Sequence, residues 1–221
     1  MYYAVIVAGG SGTRMRSAVP KQFLLLNGLP VLMHTINAFY QSKTAPQIIV
    51  VLHPESHEYW TFLCAEHNFT VPHQLVSGGE TRFHSVKNGI SVINDDDAIV
   101  AIHDAVRPLV TREIIDESYD IAEQYGNAIV AIQSRDSVRQ IRENRSQSLN
   151  RDEIYLIQTP QTFQASQLKA AYLQPYQESF TDDASVVEQT GVNINLISGS
   201  YQNIKITYPE DVAIAEFLLK Q

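Results

Sequence analysis

Short, continuous apolar runs alternate along most of the chain with stretches whose apolar residues recur every three to four positions. Residues 4–7, 48–52, 70–76, 98–102 and 128–132 are such runs, mostly rich in valine and isoleucine, as strands buried on both faces of a parallel sheet are. Between them, residues 30–40 place Val31, Leu32, Thr35, Ile36 and Phe39 on one helical face. Residues 56–67 do the same with Tyr59, Trp60 and Leu63, and residues 111–125 with Ile114, Ile115, Tyr119 and Ile121. A further helix opens near Arg82 and runs through Ser85, Val86, Gly89 and Ile90. Repeated strand–helix alternation predicts an α/β fold, a Rossmann-like and mostly parallel sheet flanked by helices.

The alternation breaks at residues 133–151, QSRDSVRQIRENRSQSLNR, which are polar, lack a helical stripe and turn around 143–146 between two extended pieces. A protruding β-hairpin arm over residues 133–153 is the expectation. Two strands without a core of their own are marginal in water, so the arm is either disordered or packed on another subunit. The second alternative makes it a dimerisation arm of a homodimer. Beyond it, the pattern predicts a strand at 154–158, a turn at 159–163 and a helix at 164–173. Thr181-Asp182-Asp183 reads as a helix cap with two acids in the first turn, leading to Val186 and Val187. Short strands at 192–197 and 203–206 follow. A last helix opens on the capping box Thr207 to Glu210 and turns Val212, Ala215 and Leu219 inward.

At 221 residues and 44% hydrophobic content, the chain fits one domain spanning 1–221. No apolar run approaches the roughly 18 residues that a membrane span needs, and the start leads straight into a strand, so a soluble, cytoplasmic protein with no membrane partner is expected. Cys64 has no second cysteine to pair with and reads as a core thiol. The seven histidines form no metal-type cluster. A net charge of −8 argues against nucleic acid as a partner. Yet no Asp or Glu precedes Glu55, while Arg14, Arg16, Lys21 and Lys43 do, which points to a bound polyphosphate.

That polyphosphate has an obvious place. Residues 3–23 read YAVIVAGGSGTRMRSAVPKQF, a strand that ends in Ala8, Gly9, Gly10, Gly12 and Thr13 and is followed by Arg14 and Lys21. Clustered glycines let successive N–H groups converge on an anion, and the two cations add full charge where negative charge builds up during phosphoryl transfer. Neither a dinucleotide fingerprint nor a P-loop is present, because Met15 stands where the fingerprint's final glycine would be and no G-x-x-x-x-G-K-[ST] occurs. A second glycine pair, Gly78-Gly79, opens the helix carrying Ser85, either as a receptor for base and ribose or as an ordinary turn. The strand at 98–102 delivers Asp104 to the carboxyl edge of the sheet, where ligands bind. There Asp104 either helps hold Mg²⁺ or a substrate hydroxyl, or forms a loop ion pair with Arg107. Lys205, inside the apolar-flanked NIKIT, supplies a further cation if it faces the cleft.

Seven motifs in order, AGGSGTRM…PKQF, GGETRFHSV, HDAVRP, RDSV, QTPQTF, FTDDAS and NIKIT-PED, together resemble the 2-C-methyl-D-erythritol 4-phosphate cytidylyltransferase family from Tyr3 to Leu219. The resemblance implies the nucleotide-diphospho-sugar transferase type of fold and transfer of CMP from CTP to the phosphate of 2-C-methyl-D-erythritol 4-phosphate, releasing pyrophosphate in the non-mevalonate isoprenoid pathway, with Mg²⁺ held mainly by the CTP phosphates. It implies Arg14, Lys21 and Lys205 as catalytic cations, and Ala8, Gly9, Gly10, Gly12, Thr13, Gly79, Ser85 and Asp104 around CTP. The acceptor would meet Asp104, Arg107, Ser137, Arg151, Thr159, Thr181 and Lys205, with Ser137 serving the neighbouring subunit of a dimer. Arg16, Val106 and Ser137 depart from the family's usual glycine, alanine and threonine; Ser137 keeps the hydroxyl. The alternatives are a ribitol-5-phosphate cytidylyltransferase, against which Arg135 and Arg139 around Ser137 weigh, and a non-catalytic nucleotide-binding regulator on the same fold.

Overall fold

The computed structural model describes residues 1–8 and 19–220. The glycine loop, with Gly9, Gly10, Gly12, Thr13, Arg14 and Arg16, lies outside the described residues. In chain order the elements are β1 (Tyr2–Val7), β2 (Leu25–Leu26), β3 (Leu29–Pro30), α1 (Val31–Tyr40), β4 (Gln47–Leu52), α2 (His57–Glu66), β5 (Gln74–Ser77) and α3 (Arg82–Ser91). There follow β6 (Ile99–Asp104), α4 (Arg112–Tyr125), β7 (Asn127–Gln133), β8 (Arg139–Arg142), β9 (Arg145–Ser148) and β10 (Tyr155–Gln164). The chain closes with α5 (Ala165–Ala171), α6 (Asp183–Glu188), β11 (Leu196–Ser198) and α7 (Pro209–Leu218).

Seven strands form one sheet in the order β11-β7-β10-β6-β1-β4-β5, and every pairing is parallel except the two made by β10. Strand period two divides the central residues between two cores. Ala4, Ile6, Ile48, Val50 and Leu52 face Leu32, Ile36 and Phe39 of α1, Trp60 of α2 and Tyr119 of α4. Val5, Val7, Ile49 and Val51 face Val86 and Ile90 of α3, Leu168 of α5 and Val186 of α6. Gly89 is the point of closest approach on that side: a Cβ there would stand 2.5 Å from Val5 Cγ1 and 2.8 Å from Val51 Cγ2. Gly89→Ala gains helix propensity of at most about 1 kcal/mol but forces α3 off the sheet, so we expect a net destabilisation of about 1–3 kcal/mol, read as a fall of several degrees in Tm.

Several boundaries differ from the sequence expectation. The expected turn at 159–163 is strand: β10 runs through it and absorbs Pro160 by a register shift between Ile157 and Gln161. The strand expected at 70–76 pairs only from Gln74, since Pro72 offers no N–H. The one expected at 192–197 shortens to Leu196–Ser198. Residues 203–206 are not a strand, although the Ile206 N–H donates to the Val106 carbonyl at 2.9 Å. The last helix is capped one residue later than expected, with Asp211 accepting from the N–H groups of Thr207 and Tyr208. Leu219 falls beyond it and is 37% exposed. Tyr59 turns its ring outward against the edge of Phe23. The arm is a hairpin of β8 and β9 turning at Glu143 and Asn144, both at positive φ as a two-residue turn requires.

Candidate active site

Two cavities open at the carboxyl edge of the sheet. The larger, about 700 Å³, is bounded among others by Ala8, Lys21, Gly79 and Val106, and the smaller, about 280 Å³, by Arg107, Thr159, Gln161 and Thr181. Arg82, Asp104 and Lys205 line both. They form the wall that the two spaces share.

Each wall residue arrives by a different route. Asp104 is the last residue of β6, in parallel register with Val7 of β1, so the central strands bring it to the mouth of the larger cavity beside Ala8. Its backbone N–H donates to Thr159 Oγ1 at 3.1 Å, which ties it to β10. Lys205 belongs to a segment with no ladder of its own that is held at three points. The Asn203 carbonyl accepts from Arg107 Nη1 at 2.8 Å, the Ile206 N–H reaches Val106, and the Ile206 carbonyl accepts from Lys21 Nζ at 3.2 Å. Lys21 itself begins a 3-10 turn, Lys21–Phe23, anchored by the buried Phe23 ring against Trp60.

Around Asp104 the charges are crowded. Lys205 Nζ lies 2.9 Å and Arg107 Nε 3.3 Å from Oδ2, and Arg82 Nε lies 3.6 Å from Oδ1. Burial pushes the carboxyl pKa up, but Arg82, Lys205 and Arg107 outweigh it and hold Asp104 well below the usual carboxylate range. Arg82 also makes a two-pronged pair with the buried Asp183, 2.9 and 2.6 Å. Burial lowers its pKa, while Asp183 and Asp104 raise it further, so Arg82 stays charged. Three cations thus face the two carboxylates Asp104 and Asp183, while Glu80 borders the larger cavity, with Lys21 as a further cation, and Asp182 borders the smaller.

The other expected residues are placed with differing roles. Ala8 donates its N–H to Val51 at 2.8 Å and accepts from Gln22 Nε2 at 2.9 Å. Gly79 has its backbone against His84, with 2.5 Å between a notional Cβ and His84 Cβ, so only glycine fits that turn. The Ser85 hydroxyl, expected on base and ribose, accepts from Gly79 N–H at 3.1 Å and thus shapes the turn. Thr159 and Thr181 line the smaller cavity. Ser137 and Arg151 line neither cavity; both are exposed on the arm, where Arg151 Nη1 donates to the Arg135 carbonyl at 3.3 Å. His103 is buried against the Phe39 ring, and burial lowers its pKa to about 3, so it is neutral and serves packing. Cys64 is partly buried, and burial pushes its thiol up to about 11.

Arg82 and Asp183 were not legible as site residues. Thr181-Asp182-Asp183 suggested a cap with two first-turn acids, but the cap is Asp182, which accepts from Ser185 N–H at 2.9 Å. Asp183 points inward instead. Among the described residues no group of three or more His, Cys, Asp or Glu side chains is placed to hold a metal ion. Glu80 and Asp104 are the carboxylates bordering the larger cavity among the described residues, and Asp104 is already surrounded by cations. That donor set suits a divalent ion carried on substrate phosphates and keeping its waters better than a protein cage. No helix of the described residues is long and apolar enough to cross a membrane.

The family whose sequence model matches residues 2–221 is described as 2-C-methyl-D-erythritol 4-phosphate cytidylyltransferase. A protein of that name from Bacteroides thetaiotaomicron is 47% identical over 215 residues, covering 97% of this chain and 98% of its own. Another, from Porphyromonas gingivalis, is 47% identical over 218 residues, covering 98% and 97%. Among solved structures, the 4-diphosphocytidyl-2C-methyl-D-erythritol synthase of Anaerococcus prevotii superposes with a TM-score of 0.85 at 27% identity, covering 100% of this chain and 96% of its own. The Francisella tularensis 2-C-methyl-D-erythritol 4-phosphate cytidylyltransferase superposes with a TM-score of 0.79 at 32% identity, with 98% of each chain covered.

Proposed function

The chain belongs to the 2-C-methyl-D-erythritol 4-phosphate cytidylyltransferase family, and from that membership and the paired cavities we infer that it transfers CMP from CTP to 2-C-methyl-D-erythritol 4-phosphate. The products are 4-diphosphocytidyl-2-C-methyl-D-erythritol and pyrophosphate, and the reaction is a step of the non-mevalonate isoprenoid pathway. The observation that carries the mechanism is the shared wall: a nucleotide-sized cavity and a smaller polar one meet at Lys205, Asp104 and Arg82. CTP occupies the larger, with its base and ribose toward Gly79. The acceptor occupies the smaller, its hydroxyls toward Asp104, Thr159 and Thr181 and its phosphate toward Arg107 and Lys205.

A phosphate monoester with a second pKa of about 6 is largely dianionic at neutral pH, so its oxygen attacks the α-phosphorus without a general base. One P–O bond forms, the bond from the α-phosphorus to the β-phosphate bridge breaks, and pyrophosphate leaves with the electron pair. The protein's work is to hold two repelling anions together and to stabilise the crowded phosphorus between them. Lys21 and Lys205 do this here, and the family resemblance adds Arg14. Mg²⁺, bound on the triphosphate with Asp104 within reach, would neutralise charge on the phosphates.

The reading extends to a cytoplasmic homodimer. Ser137 and Arg151 lie on an arm that also exposes Ile141, at 64%, and its base exposes Tyr155 and Leu156. Packing that arm on a second copy covers these residues and delivers Ser137 and Arg151 to the partner's acceptor cavity. The test is pyrophosphate release from CTP and Mg²⁺ with methylerythritol 4-phosphate or ribitol 5-phosphate as acceptor, alongside the solution mass. Release with the first alone, from a dimer, is expected. Preference for ribitol phosphate, or a monomer mass at every concentration, would overturn the acceptor or the arm respectively.

A further inference from the structure

The Arg82 guanidinium is shared by two carboxylates that lie 79 positions apart in the chain. Both terminal nitrogens are committed to Asp183, at 2.9 and 2.6 Å, and the remaining Nε faces Asp104 at 3.6 Å. Asp183 is itself fixed. It is fully buried at the start of α6, and its Oδ1 also accepts from Tyr172 Oη at 2.6 Å. The Tyr172 ring stacks on Phe83, the residue after Arg82, with centroids 4.6 Å apart. Gln161 of β10 pins the same turn, accepting from Ala184 N–H at 2.8 Å and donating to Asp182 at 3.1 Å.

We propose that Arg82 is a positioning residue for the acceptor: clamped by Asp183, it fixes the orientation of Asp104 in the wall between the two cavities. This rests on the reading of the smaller cavity as the acceptor's. The three cations around Asp104 are not equivalent. Lys205 is 38% exposed and ends a flexible stem, so an arriving phosphate dianion draws it away from Asp104, while Arg107, held by the Asn203 carbonyl at 2.8 Å, meets the phosphate from the smaller cavity's wall. Arg82 cannot follow, because its fork is held by a buried carboxylate. It remains as the fixed partner that keeps Asp104 aimed at the acceptor hydroxyls while Lys205 and Arg107 serve the phosphate. A lysine at this position carries the charge but cannot span both carboxylates.

The test is steady-state kinetics of the wild-type enzyme, Arg82→Lys, Arg82→Gln, Asp183→Asn and the double variant Arg82→Gln/Asp183→Asn, with CTP and acceptor varied separately and Tm recorded for each. Wild-type turnover with methylerythritol phosphate checks the underlying reading by itself. Given that, Arg82→Lys and Asp183→Asn should each raise the acceptor KM about 10-fold or more while the CTP KM stays within about 2-fold. The double variant, which removes both charges and keeps the buried shape, should be no worse than the poorer single variant. Should Arg82→Lys fail to fold, Asp183→Asn and the double variant decide the matter. The proposal is overturned if both KM values rise together, if kcat alone falls, or if the effects of Arg82→Gln and Asp183→Asn multiply in the double variant.

Discussion

Lys205→Ala should lower kcat by about 10²-fold or more while the protein stays folded, its Tm within a few degrees of wild type. The two halves of this expectation come from the same geometry. Lys205 reaches Asp104 at 2.9 Å but is 38% exposed, so its loss removes an ion pair in partly aqueous surroundings. Asp104 still keeps Arg107 at 3.3 Å and Arg82 at 3.6 Å, and no buried carboxylate is stranded. Catalysis has no such reserve. Lys205 is the lysine that borders both cavities among the described residues, so it alone of them can follow the acceptor oxygen to the α-phosphorus. Single-turnover pyrophosphate release beside a thermal melt checks both halves. A loss of only a few-fold would reduce Lys205 to a counter-ion of Asp104.

What the sequence made legible followed from local pattern, and what it hid depended on distant pairs. Val-rich runs such as 48–52 and the helical stripe of Val31, Leu32, Thr35, Ile36 and Phe39 specify burial through their own spacing, and all these residues are buried. Asp104 could be placed at the carboxyl edge because a parallel strand leads straight to it. Lys205 stands out because a lysine between Ile204 and Ile206 conflicts with its neighbours. Pro160 misled, since proline is a turn signal until a bulge gives it room in a strand. Tyr59 misled because an aromatic on a helical stripe fits an edge-on surface contact as well as a core. Asp183 could not be read at all. Two adjacent acids at a helix start are explained by capping, and nothing within the helix says that one of them faces an arginine on α3. Spacing specifies a face, not the partner that another element brings to it.

Lys21→Ala should cost a comparable factor in kcat, about 10²-fold or more, yet change the CTP dissociation constant by less than about 10-fold. Lys21 lines the larger cavity and not the smaller, and donates to the Ile206 carbonyl next to Lys205. With CTP and acceptor seated as proposed, its charge and that of Lys205 converge from the two sides on the phosphorus that changes partners. Ground-state CTP spreads its negative charge over three phosphates. During transfer the charge gathers on the α-phosphoryl oxygens and the departing bridge, where the Lys21 contact strengthens, so its loss falls on the transition state. Arg14→Ala is expected to follow the same pattern. CTP titration by calorimetry beside kcat measures the difference directly. Equal losses in affinity and turnover would make Lys21 a plain nucleotide ligand and return the site to the class of non-catalytic binders. Turnover lost with affinity kept is the signature of a cation placed for the reaction itself.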